Sequence, residues 1–200
     1  MTRQIIDVSD LSRFQAGREA PLWWGVTGLI LIEATVVASF IASYFYLRLY
    51  QPQWPPPGVA PPELLWPTLN LAMLLASCAT MWWAGRMLKR DARGKFTLGA
   101  GISVLLASLV LVSRWQQFEA FDVRWDENPY GSIVWTISGF HFVHVVSAVI
   151  GTAVVVLLGA LGFFTQKRQI AVVVDTLYWY FVGLVWIPFY LVLYWAPRWL

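Results

Sequence analysis

The chain has 200 residues, of which 58% are hydrophobic and 12% charged, and its formal net charge is +3. Soluble domains carry about 25% charged residues, so this composition excludes a soluble globular protein. A single cysteine, Cys78, excludes an internal disulfide and a cysteine-based metal cluster. The small net charge gives no reason to expect a nucleic-acid partner.

The apolar residues form long blocks, which is the pattern of membrane-spanning helices. We predict an all-α protein, an integral membrane bundle in which residues 1–200 make a single transmembrane domain. The third predicted span is the shortest, and the fourth is longer than the bilayer is thick. The five spans cover residues 22–47, 64–87, 97–113, 132–163 and 173–195.

The distribution of Lys and Arg predicts the orientation of the bundle, because cytoplasmic loops carry the excess of positive charge. Ten of the 14 cations fall on the N-terminal side of the predicted membrane. The N-terminus is therefore predicted in the cytoplasm and the C-terminus outside. The ten are Arg3, Arg13, Arg18, Arg86, Lys89, Arg90, Arg93, Lys95, Lys167 and Arg168; the other four are Arg48, Arg114, Arg124 and Arg198.

Glu33 is a lone carboxylate in the first apolar block, roughly 16 Å along the helix from Leu22 and therefore near the bilayer midplane. An acid at that depth costs several kcal/mol by most estimates, so it is a candidate functional residue. On a helical wheel, small residues cluster opposite Glu33, and we expect that face to pack against a neighbour. The bulky Glu33 face predicts a groove filled by lipid or by another side chain. A protonated Glu33 with a purely structural bond to a neighbouring helix is the alternative.

The two histidines, His141 and His144, are spaced i, i+3 and share one helix face with Ser138. Imidazoles on one helix make half a metal site, but the chain has no further histidine to complete it. A haem-plus-copper centre is therefore excluded within this chain, and we predict no metal site. Hydrogen bonding between helices is the expected role of the pair.

Three other polar residues lie near the predicted outer interface. Asn70 is placed to bond a neighbouring helix, whereas Gln116 and Glu119 come just after the third span, where loop side chains are usually solvated. The basic loop 86–95 is explained by orientation alone, and binding of anionic lipid head groups is an additional possibility.

Taken together, several segments resemble cytochrome c oxidase subunit III, the third core subunit of haem-copper oxidases. The similarity extends over nearly the whole chain beyond the N-terminal tail. The combination of Tyr-Gly-Ser, Gly-Phe-His-x-x-His and the embedded acid is specific, although each alone is weak. The matching segments are 23–25, Glu33 with 40–48, 67–70, 116–119, 130–132, 139–145, 178–182, Trp186 and 194–195.

The resemblance implies a non-catalytic subunit of a bacterial terminal oxidase that passes electrons from cytochrome c to oxygen and pumps protons. In this family subunit III packs against subunit I, which holds the haems and copper, with subunit II in the same complex. Its helices form a cleft for phospholipids, and it supports proton uptake by subunit I. Glu33 matches the family's embedded acid. An interhelical polar network is then expected from His141, His144, Ser138, Asn70, Gln116 and Glu119.

The chain departs from the family pattern in three ways. Common members have seven helices, whereas this sequence resembles the shorter five-helix form. Tyr180 and Gly183 replace the usual His and Asp, and Leu158 replaces an Arg near lipid head groups. Lipid anchoring is then expected to fall to other cations, namely Arg86, Lys89, Arg90, Lys167 and Arg168.

The resemblance leaves the electron donor open. A quinol oxidase subunit and an accessory protein of nitric oxide reductase are close alternatives, and the Pro-rich loop 51–62 is a candidate contact in a larger respiratory assembly. A small transporter or channel subunit with Glu33 as a proton relay belongs to a different class. It is disfavoured because the sequence shows neither paired repeats nor broken helices. The bacterial cytoplasmic (inner) membrane is the expected location.

Overall fold

The computed structural model describes residues 17–199, and in that part of the chain every regular element is helical. A short 3₁₀ turn, Gly17–Glu19, precedes α1. The long helices are α1 (Pro21–Leu49), α2 (Leu65–Lys89), α3 (Arg93–Glu119), α4 (Pro129–Ala160) and α5 (Ile170–Tyr190). The last continues through a π-helical segment, Leu191–Trp195, and a final turn, Ala196–Trp199.

Within residues 17–199, five helices, α5 being counted with its continuation, are long and apolar enough to cross a membrane, which confirms the predicted fold class. The helices are longer than some of the predicted spans: α3 has 27 residues and α2 has 25, and the limits of the membrane spans themselves stay a prediction. The helix of α3 extends beyond its apolar stretch at both ends, into Arg93–Lys95 and into Arg114–Glu119. Hydropathy marks only the apolar part of a helix, so it underestimates the length of a helix whose ends are polar. The fourth helix is the longest, with 32 residues.

Local sequence explains where α4 begins. Pro129 occupies the first turn, where its missing N–H is no loss, and the Asn128 side chain caps the helix by accepting from the Gly131 N–H at 2.8 Å. A side chain at Gly131 would collide with the backbone, since an added Cβ would lie 2.2 Å from the Arg124 carbonyl oxygen. Gly131 of the Tyr-Gly-Ser motif therefore lets the preceding loop, residues 120–128, fold against the first turn of α4.

Within that loop, Arg124 donates hydrogen bonds to both carboxylate oxygens of Asp126, at 3.1 and 2.9 Å. These bonds stabilise the charged carboxylate and lower the pKa of Asp126 below its ordinary value. The pair is exposed to solvent, so it contributes little to the stability of the fold.

The loops collect at the two ends of the bundle. At one end, here called the basic end, Gln166 donates a hydrogen bond to the Lys89 carbonyl at 3.2 Å and so joins the α2–α3 and α4–α5 loops. At the other, the proline end, Arg198 donates to the Pro62 carbonyl, joining the last turn to the Pro-rich loop. Arg3 and Arg13, which contribute to the predicted orientation, lie outside the described residues. Which end faces the cytoplasm stays a prediction.

Helices α2, α3, α4 and α5 pack closely through small residues. An added Cβ at Gly99 would lie 2.7 Å from the Trp83 ring, one at Gly159 2.8 Å from the Phe96 ring, and one at Gly183 2.3 Å from the Cys78 sulfur. Small residues at these positions let neighbouring helices approach closely, as is usual in membrane bundles.

Helix α1 lies against α4 and α5 and is the least enclosed of the five. Its buried side chains are Val37 and Tyr44, both on the face that carries Glu33. The opposite, small-residue face, represented by Ala34, Ala38 and Ala42, is exposed. Within residues 17–199 the small-residue face is therefore not the face that packs, and its contact with a neighbouring subunit stays a prediction. The bulky residues supply the contact area because they reach into the α4–α5 groove.

Helix α5 changes its hydrogen-bonding pattern near its end. Pro188 has no N–H to donate and interrupts the ladder, and the π-helical turn begins at Leu191. Such wide turns are often found at functional sites. Here the turn carries Tyr194, whose hydroxyl lies at the proline end of the bundle interior.

Candidate functional site

Glu33 and His144 meet between α1 and α4. The Nε2 atom of His144 lies 3.2 Å from Oε2 of Glu33, and the side chains are 15% and 22% exposed, respectively. Glu33 is therefore neither sealed in the core nor free in lipid. The sequence predicts that the groove beside Glu33 holds either lipid or another side chain. In the structure, the His144 side chain lies next to the acid.

The second ring nitrogen of His144 determines what the pair can do. Nδ1 lies 2.7 Å from the Phe140 carbonyl oxygen, which can only accept, so Nδ1 carries a hydrogen. Nε2 then either accepts from a protonated Glu33 or donates to an ionised one. The two states differ by the position of one proton and have the same total charge. The site can therefore hold a proton at the carboxyl or at the imidazole without changing its net charge.

Aromatic rings cover one side of this pair. The Phe140 ring lies 4.1 Å from the His144 ring and 5.0 Å from the Phe40 ring, centroid to centroid. These contacts restrict the orientation of the imidazole and exclude water from that side. A hydrogen bond in such a setting is stronger than one in water because the local dielectric is low.

Two further polar contacts follow along the α4–α5 seam toward the basic end. The Ser147 and Tyr178 hydroxyls are 3.0 Å apart, and Thr152 donates to the Asp175 carboxylate at 2.9 Å. Sequence reasoning missed Asp175, a second acid inside the apolar part of a helix. The signal was available, because Asp175 follows three consecutive valines, 172–174.

The other histidine has different partners. His141 is buried, its Nε2 lies 3.1 Å from the Val182 carbonyl oxygen of α5, and its ring lies 4.4 Å from that of Trp186. Ser138 and Asn70 are also buried. Within residues 17–199, neither the Ser138 hydroxyl nor the Asn70 side-chain amide has a hydrogen-bond partner. The two histidines thus serve two separate helix contacts.

Gln116 and Glu119 do not join this interior. Both are exposed, and Glu119 accepts a hydrogen bond from the Trp115 ring nitrogen of its own helix at 2.8 Å. The expected six-residue network is therefore not continuous in the described chain. Of these six residues, His141 and His144 are the two whose side chains bond to another helix within residues 17–199.

The candidate lipid-binding cations lie together at the basic end. The Arg86 guanidinium stacks on the Trp82 ring at 3.8 Å, and that of Arg168 on the Phe163 ring at 3.4 Å. Lys89, Arg90 and Lys167 are exposed. Arg86 and Lys89 lie in the last turn of α2, and Gln166 brings the loop that carries Lys167 and Arg168 next to them. The role of these cations in lipid binding stays a prediction.

No group of three or more His, Cys, Asp or Glu side chains within residues 17–199 is arranged to hold a metal ion. The Cys78 thiol is free and lies 4.0 Å from the Trp179 carbonyl oxygen. Its closeness to Gly183 explains one departure from the family pattern, because an Asp side chain at 183 would collide with the Cys78 sulfur.

Sequence reasoning also missed Arg114, which it placed among the charges of the outer surface. The residue is only 2% exposed and lies on the inward face of α3. Its spacing from the other buried positions, Ser103, Ala107 and Val110, follows the helical repeat. That spacing was the available signal.

Comparison with known proteins agrees with these features. A sequence profile described as cytochrome c oxidase subunit III matches residues 7–198. Proteins named cytochrome c oxidase subunit 3 are 29% identical in Drosophila yakuba, over 87% of this chain and 69% of the relative, and 26% identical in Homo sapiens, over 94% and 76%. That of Rattus norvegicus is 30% identical over 87% and 69%. The chain belongs to the cytochrome c oxidase subunit III family.

Proposed function

We propose that the chain is the non-catalytic third subunit of a bacterial haem-copper oxidase that passes electrons from cytochrome c to oxygen and pumps protons. It stabilises subunit I, which with subunit II forms the rest of the core complex, and it binds phospholipids. It lies in the cytoplasmic membrane with its N-terminus inside. The observation that carries this proposal is the pair of Glu33 and His144 at 3.2 Å, half-way along two membrane-spanning helices.

The pair suits a supporting role in proton uptake because a proton can pass between the Glu33 carboxyl and the His144 imidazole across a single contact of 3.2 Å. Its partial exposure allows exchange with a neighbouring subunit or with water, whereas a sealed core pair would be isolated. The family's embedded acid, matched here by Glu33, gives the same assignment.

The hydrogen-bonding contacts of the two histidines support the proposal that the haems and copper lie in partner subunits. The chain has two histidines. Both ring nitrogens of His144 are in hydrogen-bonding contact, and Nε2 of His141 is in contact with the Val182 carbonyl. That leaves one ring nitrogen, Nδ1 of His141, buried beside Trp186. One buried nitrogen does not make a haem-plus-copper centre, which needs several such ligands.

Lipid binding is supported by two surfaces of the chain. Much of α1 is exposed and apolar, and the cations of the basic end lie where head groups of an adjoining leaflet would meet them. Arg86 and Arg168, each stacked on an aromatic ring, are fixed in position more firmly than free surface cations.

Purification through an affinity tag on this chain tests the assembly. We expect co-purified subunits with haem absorbance, copper and oxygen consumption driven by reduced cytochrome c. Oxygen consumption with a quinol but not with cytochrome c would assign the complex to a quinol oxidase instead. Recovery of the chain with partners that hold no haem would overturn the proposal.

Substitution of the acid tests its supporting role. Glu33→Gln should leave the haem spectrum unchanged, because no ligand is altered, while the enzyme inactivates after fewer turnovers. The matched control is Glu19→Gln, which changes an exposed acid before α1. Loss of haem in Glu33→Gln would contradict the role, as would inactivation at the wild-type rate.

A further inference from the structure

Asp175 is a second acid within a membrane-spanning helix, five residues after the first residue of α5 and therefore about 8 Å along it from the basic end. Its carboxylate accepts a hydrogen bond from Thr152 at 2.9 Å. Among the described residues no cation forms an ion pair with it. A charged acid at such a position is costly, so Asp175 is a candidate functional residue like Glu33.

The Asp175 carboxylate borders an open side of the α4–α5 seam. An added Cβ at Gly151 would lie 3.6 Å from Oδ1 of Asp175, and Gly151 itself is exposed. Ser147, one turn away on the same face of α4, is exposed as well. The side chains of Asp175 and Ser147 can therefore both be reached by water from this side of the seam.

Two steps connect Asp175 with the pair of Glu33 and His144. Tyr178 lies one turn from Asp175 on α5, and its hydroxyl is 3.0 Å from that of Ser147 on α4. Ser147 in turn lies one turn from His144. Residues three apart on a helix are neighbours, with about 5–6 Å between their Cβ atoms. Each polar side chain of this series is thus within one helix turn or one hydrogen bond of the next.

The hydroxyl groups of the series have defined roles. Ser147 donates its hydrogen to the His144 carbonyl at 2.8 Å, so the Tyr178 hydroxyl donates to the Ser147 oxygen. The Tyr178 oxygen keeps a lone pair with which it can accept a hydrogen bond from water. A water molecule bound there lies between Asp175, one turn away on α5, and the turn of α4 that carries His144.

We propose that Asp175 supplies protons to the pair of Glu33 and His144 from the basic end. The proton travels through water held by the Tyr178 and Ser147 hydroxyls. When the pair has lost its proton, the O–H bond of the Asp175 carboxyl breaks and a proton arrives at the pair. The carboxylate that remains takes a new proton from water at the basic end. The inference rests on the proposed role of the pair in proton uptake and names the group that feeds it.

Hydrogen–deuterium exchange tests this route on the full chain with whatever subunits co-purify. The measured quantity is the rate at which the proton shared by Glu33 and His144 is replaced after transfer to heavy water. A proton on the carboxyl is followed by the infrared carbonyl band that Glu33→Gln abolishes. A proton on the imidazole is followed by the ring signals of a chain labelled with ¹⁵N-histidine, which are few because the sequence has two histidines.

Matched variants assign the donor. Asp175→Asn should slow the exchange about tenfold or more, because a positioned acid commonly contributes at least that much to a proton transfer, and Asp175→Glu should restore most of the rate. The control Asp91→Asn changes an exposed acid at the basic end and should have no effect. Tyr178→Phe should also slow the exchange, whereas Tyr180→Phe on the same helix should not. The tyrosine variants decide the matter if Asp175→Asn does not fold.

Two results would overturn the inference. One is wild-type exchange in a folded Asp175→Asn variant, because the pair would then obtain its proton by another route. The other is an equal loss of rate in Asp175→Asn and Asp175→Glu, which would indicate an effect of packing. Turnover of the co-purified oxidase separates this failure from that of the proposed function. If Glu33→Gln shortens the active life while Asp175→Asn exchanges normally, the route alone is wrong; if Glu33→Gln inactivates at the wild-type rate, the supporting role itself fails.

Discussion

The seam between α2 and α5 and the seam that holds α1 differ in how they are built. At the first, Gly183 and Cys78 approach so closely that an added Cβ would lie 2.3 Å from the sulfur, and Trp179 donates to the Ser77 hydroxyl at 3.1 Å. At the second, the contact across the middle of the helix is the partly exposed pair of Glu33 and His144. In the most apolar stretch of α1, 6% of residues are buried, against 33% in α2.

The two seams show two ways in which a membrane helix is held against its neighbours: by close packing or by a polar contact. Lipid competes with protein for apolar surface, so association depends on close packing or on polar contacts. The α2–α5 seam uses packing and therefore tolerates little change in volume. The α1 seam depends more on one polar contact, which makes α1 the helix whose position a neighbouring subunit or a proton can influence most.

The largest effect is expected at Gly183. Gly183→Ala should lower the free energy of unfolding by about 1–3 kcal/mol, because it overpacks the seam against Cys78. The measurement is unfolding of the full chain in mixed micelles of a mild detergent and sodium dodecyl sulfate. Gly139→Ala in α4 is the matched control, since an added Cβ there meets no atom within 4 Å.

A second substitution makes that test specific. Cys78→Ala removes the sulfur, so the double variant with Gly183→Ala should regain most of the lost stability. Equal destabilisation of the single and double variants would mean that the seam is not limited by this contact.

A smaller effect is expected for the pair on α1. A double-mutant cycle with Glu33→Gln and His144→Phe should give a coupling free energy of about 0.6–1.7 kcal/mol, between the average and the maximum for hydrogen bonds between membrane helices. The same unfolding assay supplies all four values. Strictly additive effects would show that the two side chains do not stabilise each other, and α1 would then be held by its apolar contacts alone.

In the α2–α5 seam, the hydrogen bond from Trp179 to Ser77 should contribute less to the free energy of unfolding than the close packing does. Ser77→Ala removes the acceptor of the Trp179 ring nitrogen and should cost about 0.6 kcal/mol. This is less than the cost expected for Gly183→Ala. If Ser77→Ala were the more damaging of the two, the α2–α5 seam would also depend mainly on a polar contact, and the contrast with α1 would fail.

The sequence predicts the five helices well because hydropathy reports directly on lipid exposure. It singles out Glu33 and His144 separately, but not as partners, because the rotation of each helix about its axis depends on how the others pack. That is also why the helical wheel did not identify the face of α1 that packs within residues 17–199. Arg114 was taken as an interfacial charge because its position near a helix end resembles that of a solvated residue, and only the spacing of the buried face shows otherwise.

The smallest effect is expected on the exposed face of α1. Ala38→Leu should change the free energy of unfolding of the chain by less than about 0.5 kcal/mol, because the Ala38 side chain is exposed on the outer face of α1. The neighbouring Val37→Ala, on the buried face, should cost about 1 kcal/mol in the same assay. A clear loss for Ala38→Leu in the chain alone would mean that the small-residue face is covered within the molecule. The two seams would then be alike in using close packing, and the pair of Glu33 and His144 would not be what sets α1 apart.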